Sequence, residues 1–157
     1  MQSAAIPPVR KTIEVGTDTE HAFRVFTAHM HQWWPPPCDG GEERTNMLLE
    51  PRVGGRWFEQ MKSGEERQLG RVLSWQPHTR LLLTWQLRLK EKTFDPNLET
   101  EIEITFTSTT PGKTLVAVEH RHLERFGIEA QQAYEAFNSP YAWVGILEAF
   151  RDAFWQR

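Results

Sequence analysis

Between residues 81 and 89 the chain alternates without interruption. Leu81, Leu83, Trp85, Leu87 and Leu89 fall on one side, and Thr84, Gln86, Arg88 and Lys90 on the other. A period of two marks a strand with one dry and one wet face. Shorter segments of the same kind surround it at 47–50, 56–61, 69–76, 99–107 and 114–121. Turn residues separate them: Gly54-Gly55, Ser63-Gly64, Pro77-His78-Thr79, Asp95-Pro96-Asn97 and Thr110-Pro111-Gly112. Short spacers of this composition join antiparallel neighbours. Such a sheet cannot bury its apolar face with hairpins alone, so another element must cover it. Near the end of the sequence Trp143, Ile146, Leu147, Phe150 and Phe154 form one helical stripe. Ser139-Pro140 before it has the form of an N-cap followed by proline at the first helical position. The sheet is therefore expected to curl around this helix and to leave a cavity between the two.

Ahead of this block, residues 9–15 read as a first strand ending at Gly16. Thr17-Asp18-Thr19-Glu20 fits a capping box. Ala22, Phe23, Phe26, Met30 and Trp33 follow at helical spacing, as one helix or two, to about Trp34. Pro35-Pro36-Pro37 stops the helix. Residues 35–46 are the least regular stretch, read either as a lid or as an ordinary surface loop. A short helix is expected around 129–137. The 157 residues hold no repeat and no linker, which predicts one domain with a core over about 9–155. The predicted class is α+β: a curved antiparallel sheet of six to seven strands wrapped around a long C-terminal helix, with two short helices after the first strand.

Charge and cysteine usage exclude several functions. Eighteen Lys and Arg face 21 Asp and Glu, so no basic stripe for nucleic acid is expected. Cys38 stands alone, without a disulfide partner or a cysteine zinc cage. No apolar run is long enough to span a membrane, and the N-terminal residues lack a signal-peptide core. These features predict a cytoplasmic protein.

Several motifs carry a resemblance over nearly the whole chain. They are Trp33-Trp34-Pro35, the segment from Glu50 to Trp57 (EPRVGGRW), the segment from Gly70 to Pro77 (GRVLSWQP), Leu82-Leu83-Thr84-Trp85, Glu119-His120-Arg121 and the segment from Leu123 to Gly127 (LERFG). In these the chain resembles the SRPBCC superfamily, START-like and birch-pollen-allergen-like proteins of the helix-grip fold. It is most similar to the branch of the C-terminal domain of the activator of heat-shock-protein-90 ATPase, which includes single-domain bacterial members. The resemblance implies a helix-grip fold with an internal apolar cavity. The superfamily hosts carriers, cyclases, stress-response binders and co-chaperone-like domains, so fold alone does not set activity.

Within that frame the expected cavity wall comprises Trp57, Leu83, Trp85, Ile104, Val118 and His120 on strands, with Trp143 and Leu147 on the terminal helix. Trp33 and Trp34 are expected at its rim. Strand parity places His120 with Val116 and Val118, either to orient a ligand or to serve as a hydrogen-bonded core residue. Glu59 shares a face with Trp57 and Met61. If buried, it requires a partner, with Arg56 or Arg71 as candidates. Glu59 and His120 are the candidate acid/base groups. Neither the pair His120 and His122 nor the pair His29 and His31 finds a third ligand by spacing, so no metal and no cofactor are expected.

Three functions follow in order. The first is binding of a small hydrophobic or aromatic molecule without established catalysis. The second is a cyclase- or hydrolase-like enzyme using Glu59 or His120. The third is a chaperone-ATPase interaction domain. A homodimer is left open.

Overall fold

The computed structural model describes residues 5–36 and 43–154. The lid-or-loop expectation for 35–46, and the lone Cys38, therefore lie largely outside the described residues. Among those described, seven strands form one antiparallel sheet. They are β1 (Val9–Val15), β2 (Arg44–Leu49), β3 (Arg56–Met61), β4 (Glu66–Gln76), β5 (Arg80–Trp85), β6 (Thr100–Thr110) and β7 (Lys113–Arg121), in the spatial order β1-β7-β6-β5-β4-β3-β2. Helices α1 (Thr19–Ala28) and α2 (Met30–Trp33) follow β1. A 3-10 segment (Leu123–Glu129), α3 (Ala130–Asn138), a π turn (Pro140–Val144) and α4 (Gly145–Asp152) follow β7. This is the expected helix-grip fold. No helix among the described residues is long and apolar enough to cross a membrane.

The alternation in the sequence sets which face is dry. In β7, Thr114, Val116, Val118 and His120 are buried while Leu115, Ala117, Glu119 and Arg121 are only partly so. Register carries the same face across the sheet. Val118 lies opposite Ile104, which lies opposite Leu81, and His120 lies opposite Ile102, which lies opposite Leu83. The outer face holds a charge ladder instead. Arg121 bonds Glu101 and Glu103 at 3.2 and 3.0 Å, Arg80 also reaches Glu103, and Arg10 bonds Glu119 at 2.9 Å. Register shifts at Arg44/Asn46, Trp57/Phe58, Val72/Ser74 and Ser108/Thr110 mark bulges, which bend strands and let the sheet curl.

Three local details depart from the sequence reading. The α1 cap is Asp18, whose carboxylate accepts from the His21 amide at 2.8 Å; Thr17 instead pairs its hydroxyl with His21 Nδ1. The clearest strand also ends early, at Trp85. The Gln86 side chain is buried and accepts from Thr84 Oγ1 at 2.7 Å, while the Gln86 backbone N–H donates to the Leu69 carbonyl. Those bonds draw the chain off β6 into an excursion closed by a bridge between Leu87 and Phe94. Finally, the terminal helical segment is not one regular helix. Ser139 caps it and Pro140 opens it as expected, but Ala142 is non-helical (φ −107°, ψ −114°) and α4 proper spans eight residues.

Glycines in the EPRVGGRW and GRVLSWQP segments act through the backbone. Gly54 adopts φ +82° in the turn before β3, and its amide donates to Val72 on β4, fixing the turn against the sheet. Gly70 sits where β4 presses on β5, and a Cβ there would lie 1.9 Å from the Thr84 carbonyl oxygen. The two nearest atoms are Thr84 backbone, which cannot swing aside as the end of a flexible side chain would. Gly70→Ala should cost about 3 kcal/mol or more of stability. Urea unfolding would check this, and a loss under about 1 kcal/mol would show that β4 and β5 can separate without penalty.

Candidate functional site

The space inside the curled sheet is mostly filled by rings. At one end Phe26 packs on Trp33, Phe106 and Phe150 at 4.9–5.7 Å between centroids. At the other end six rings close a cycle. Trp34 meets Trp57 (5.5 Å), Trp57 meets Trp85 (5.6 Å) and Trp85 meets Phe137 (5.7 Å); Phe137 meets His120 (4.4 Å), His120 meets Trp143 (6.0 Å) and Trp143 returns to Trp34 (6.1 Å). Most of these contacts are edge-on, the arrangement that ring quadrupoles favour.

A cavity of about 320 Å³ lies over this cycle. Four of the six rings, Trp34, Trp85, Phe137 and Trp143, form part of its wall. Leu87 and Leu89 from the excursion after β5 and Ile146 from α4 add apolar surface, and the exposed Tyr141 ring stands beside it. Of the ten residues expected to line a cavity, Trp34, Trp85 and Trp143 do so. Leu83, Ile104, Val118 and Leu147 are buried core side chains, Trp57 and His120 lie behind the wall, and Trp33 is buried against Phe26 and Phe150 rather than at a rim. The indole of Trp33 donates to the Val25 carbonyl at 3.0 Å, which ties α2 to α1.

His120 is fully buried, and both ring nitrogens are engaged. Nδ1 accepts from the Trp143 indole N–H at 3.2 Å. An indole only donates, so Nδ1 carries no proton. The proton therefore sits on Nε2, 2.9 Å from Thr100 Oγ1, whose own hydroxyl donates to the Trp85 carbonyl at 2.9 Å. Burial pushes the imidazole down from 6.5 to about 3, so it is neutral at physiological pH. This chain of bonds leaves His120 no free lone pair for proton transfer, and Glu59 is not among its partners.

Glu59, by contrast, reaches the cavity. It is buried, and its carboxylate is held by Arg67 at 2.9 Å, with Arg44 at 4.0 Å on the other oxygen. The expected partners point elsewhere: Arg56 bonds Glu50 and Glu66, and Arg71 bonds Glu99. The bulge at Trp57/Phe58 shifts the register by one residue and so brings Arg67, rather than Gln68, opposite Glu59. Arg44, Arg67, Arg88 and Lys92 also border the cavity, so four cations and one carboxylate accompany its aromatic wall. Single-sequence parity could not find them, since they come from an edge strand, a bulged partner and an excursion. Among the described residues no three His, Cys, Asp or Glu side chains group as metal ligands.

The family model described as Activator of Hsp90 ATPase homolog 1-like protein matches residues 17–149. Among solved structures, the anthrahydroquino-gamma-pyrone synthase Txn09 is 35% identical, with 94% of this chain and 97% of that chain covered, at a TM-score of 0.68. CalC, a self-sacrificing resistance protein from Micromonospora echinospora, is 28% identical, with 94% of each chain covered, at a TM-score of 0.69. The Aha1 dimer from Colwellia psychrerythraea is 14% identical over 95% of this chain and 96% of that one, at a TM-score of 0.62, and shows a shared fold alone. No curated protein is significantly similar to the chain.

The state of His120 can be measured. Its ring resonances should stay those of the neutral Nε2–H form from pH 8 to pH 5. An unfolded histidine takes up a proton near 6.5 and the folded one only near 3, so between these values stability falls as pH falls, by up to about 1.4 kcal/mol per pH unit. His120→Gln should flatten that slope relative to the parent in parallel unfolding titrations. A His120 ring that titrates near 6.5 would contradict the bonding described.

Proposed function

The chain belongs to the Activator of Hsp90 ATPase homolog 1-like family, and from that premise we propose that it binds a small, largely aromatic molecule in the cavity over the six-ring cycle. One observation carries the reading: a cleft of about 320 Å³, open to solvent beside the exposed Tyr141 and Lys92, is walled by Trp34, Trp85, Phe137 and Trp143. That volume is at the small end of ligand pockets and suits two or three fused rings. The indoles and the phenyl ring offer flat faces and edges against which such a molecule can stack. The name of the 35% identical relative, a synthase of an anthrahydroquino-gamma-pyrone, supports a fused aromatic of this kind.

A catalytic form of the same reading would rest on Glu59. Its carboxylate borders the cavity, where it could accept a proton from a bound phenol or enol while Arg67 and Arg44 hold it in place. His120 has no part in that form.

Titration with 2-naphthamide, an uncharged two-ring probe, tests the binding reading through tryptophan emission. Saturable quenching is expected, with affinity at least about tenfold weaker in Leu89→Trp. Leu89 is a half-buried wall residue, so this change fills the cavity without removing a core ring. Absence of saturable binding by the folded protein, judged by circular dichroism, would overturn the reading.

A further inference from the structure

The polar side of the cavity contains donors that the fold itself leaves unused. Arg44 lies on edge strand β2 with its side chain only 7% exposed. Its Nη2 and Nη1 donate to the Trp34 and Pro35 carbonyls at 2.7 and 3.0 Å. Among the described residues its Nε is buried without a hydrogen-bond partner, as are Nε of Arg67, whose Nη2 holds Glu59, and Nε1 of Trp57. Both arginines line the cavity.

A buried N–H without an acceptor costs roughly 1–3 kcal/mol, more when it belongs to a charged group, and folded proteins rarely leave one so. Two of the three here belong to guanidinium groups that share one carboxylate. Glu59 neutralises only one of the two charges, so the site keeps an excess positive charge beside an aromatic wall. Burial lowers the Arg44 pKa and Glu59 opposes that shift, but guanidinium remains protonated at any ordinary pH. The missing component is thus an acceptor with negative charge. Guanidinium donors suit the two oxygens of a carboxylate, and such bonds strengthen where water is excluded.

We infer that the aromatic ligand carries a carboxylate, held by Arg44 and Arg67, whose two positive charges Glu59 only half neutralises. The inference rests on the cavity-binding reading and adds the chemical class of the ligand. Glu59 acquires a second role in it. As a fixed anion between the two arginines it competes with the incoming one, keeps the apo site near balance and sets how strongly an acid is preferred. Arg88 does not share this role, because Asp95 already takes its guanidinium at 2.7 and 2.8 Å.

The experiment compares 2-naphthoate with 2-naphthamide, matched in shape and differing in charge, by tryptophan quenching and calorimetry at pH 7. The expected result is that naphthoate binds at least about tenfold more tightly. Arg67→Met should bring the ratio of the two affinities close to one. Arg44→Lys should reduce it while keeping a cation near the two backbone carbonyls. Glu59→Gln should raise the ratio, a change opposite in sign that no general loss of folding would produce. If both probes bind equally to the parent protein, the carboxylate inference is overturned and the cavity reading stands. If neither binds, the cavity reading fails and the inference with it. A preference for naphthoate that survives Arg67→Met and does not respond to Glu59→Gln would also overturn it.

Discussion

The hydrogen bond from Trp143 to His120 ties the two halves of this molecule together. The curled sheet and the terminal helical segment meet mainly through apolar contacts, which set proximity but little orientation. The indole N–H of Trp143 must find an acceptor once buried, and His120 Nδ1 supplies it only while the ring is neutral and Nε2 keeps its proton for Thr100. Thr100 in turn bonds the Trp85 carbonyl, so one line of donors and acceptors runs from the π turn through β7 and β6 to the end of β5. Two walls of the cavity, Trp85 and Trp143, are thereby fixed relative to one another by polar bonds inside an apolar core. Polar groups buried in this way are tolerated when every member is satisfied, and their geometry is then narrowly specified.

The location of the cavity follows from how the rings share the interior. Phe23, Phe26, Trp33, Phe106 and Phe150 fill the space under α1 and α2, and Leu147 adds to the packing from α4. The open volume remains where the sheet edge at β2 and β3, the excursion after β5 and the π turn meet. None of those three is a regular element packed through its middle. Each contributes a cationic or aromatic side chain from a bulge, an edge or a kink, which is where a fold can carry groups that its own packing does not consume.

That division explains what could be read from the sequence. Alternation in β6 and β7 and the stripe from Trp143 to Phe154 specify the fold and the dry face, because burial there follows from period alone. His120 was assignable to the inner face for the same reason. The wall of the cavity was not, since a residue on the inner face borders open space only if its neighbours fail to fill it. Leu83 and Ile104 satisfy every periodic criterion and are simply core. Arg44 and Arg67 satisfy none, and their meeting at Glu59 depends on a bulge that has no marker in the linear pattern. The early end of β5 at Trp85 shows the same limit. Leu87 and Leu89 continue the alternation, yet the buried Gln86 between them and Trp85 turns the chain away.

The pairing of β1 with β7 has a consequence for the order of events during folding. Val9 lies opposite His120, so the hydrogen bonds of β1 close a loop of over a hundred residues. Contacts this distant in sequence form late and slow the search for the native state. Until β7 exists, β1 has no neighbour, and the inner face of β4 to β6 is covered only in part, by Phe23 and Phe26 of α1 against Trp75 and Phe106. A growing chain therefore passes through a long interval as a partial sheet with an open apolar surface and two unpaired edges, a state prone to association with other chains. Of the charge ladder on the convex face only the Arg80–Glu103 pair can form earlier, because those two residues belong to adjacent strands joined locally, whereas the Arg121 and Arg10 pairs wait for β7.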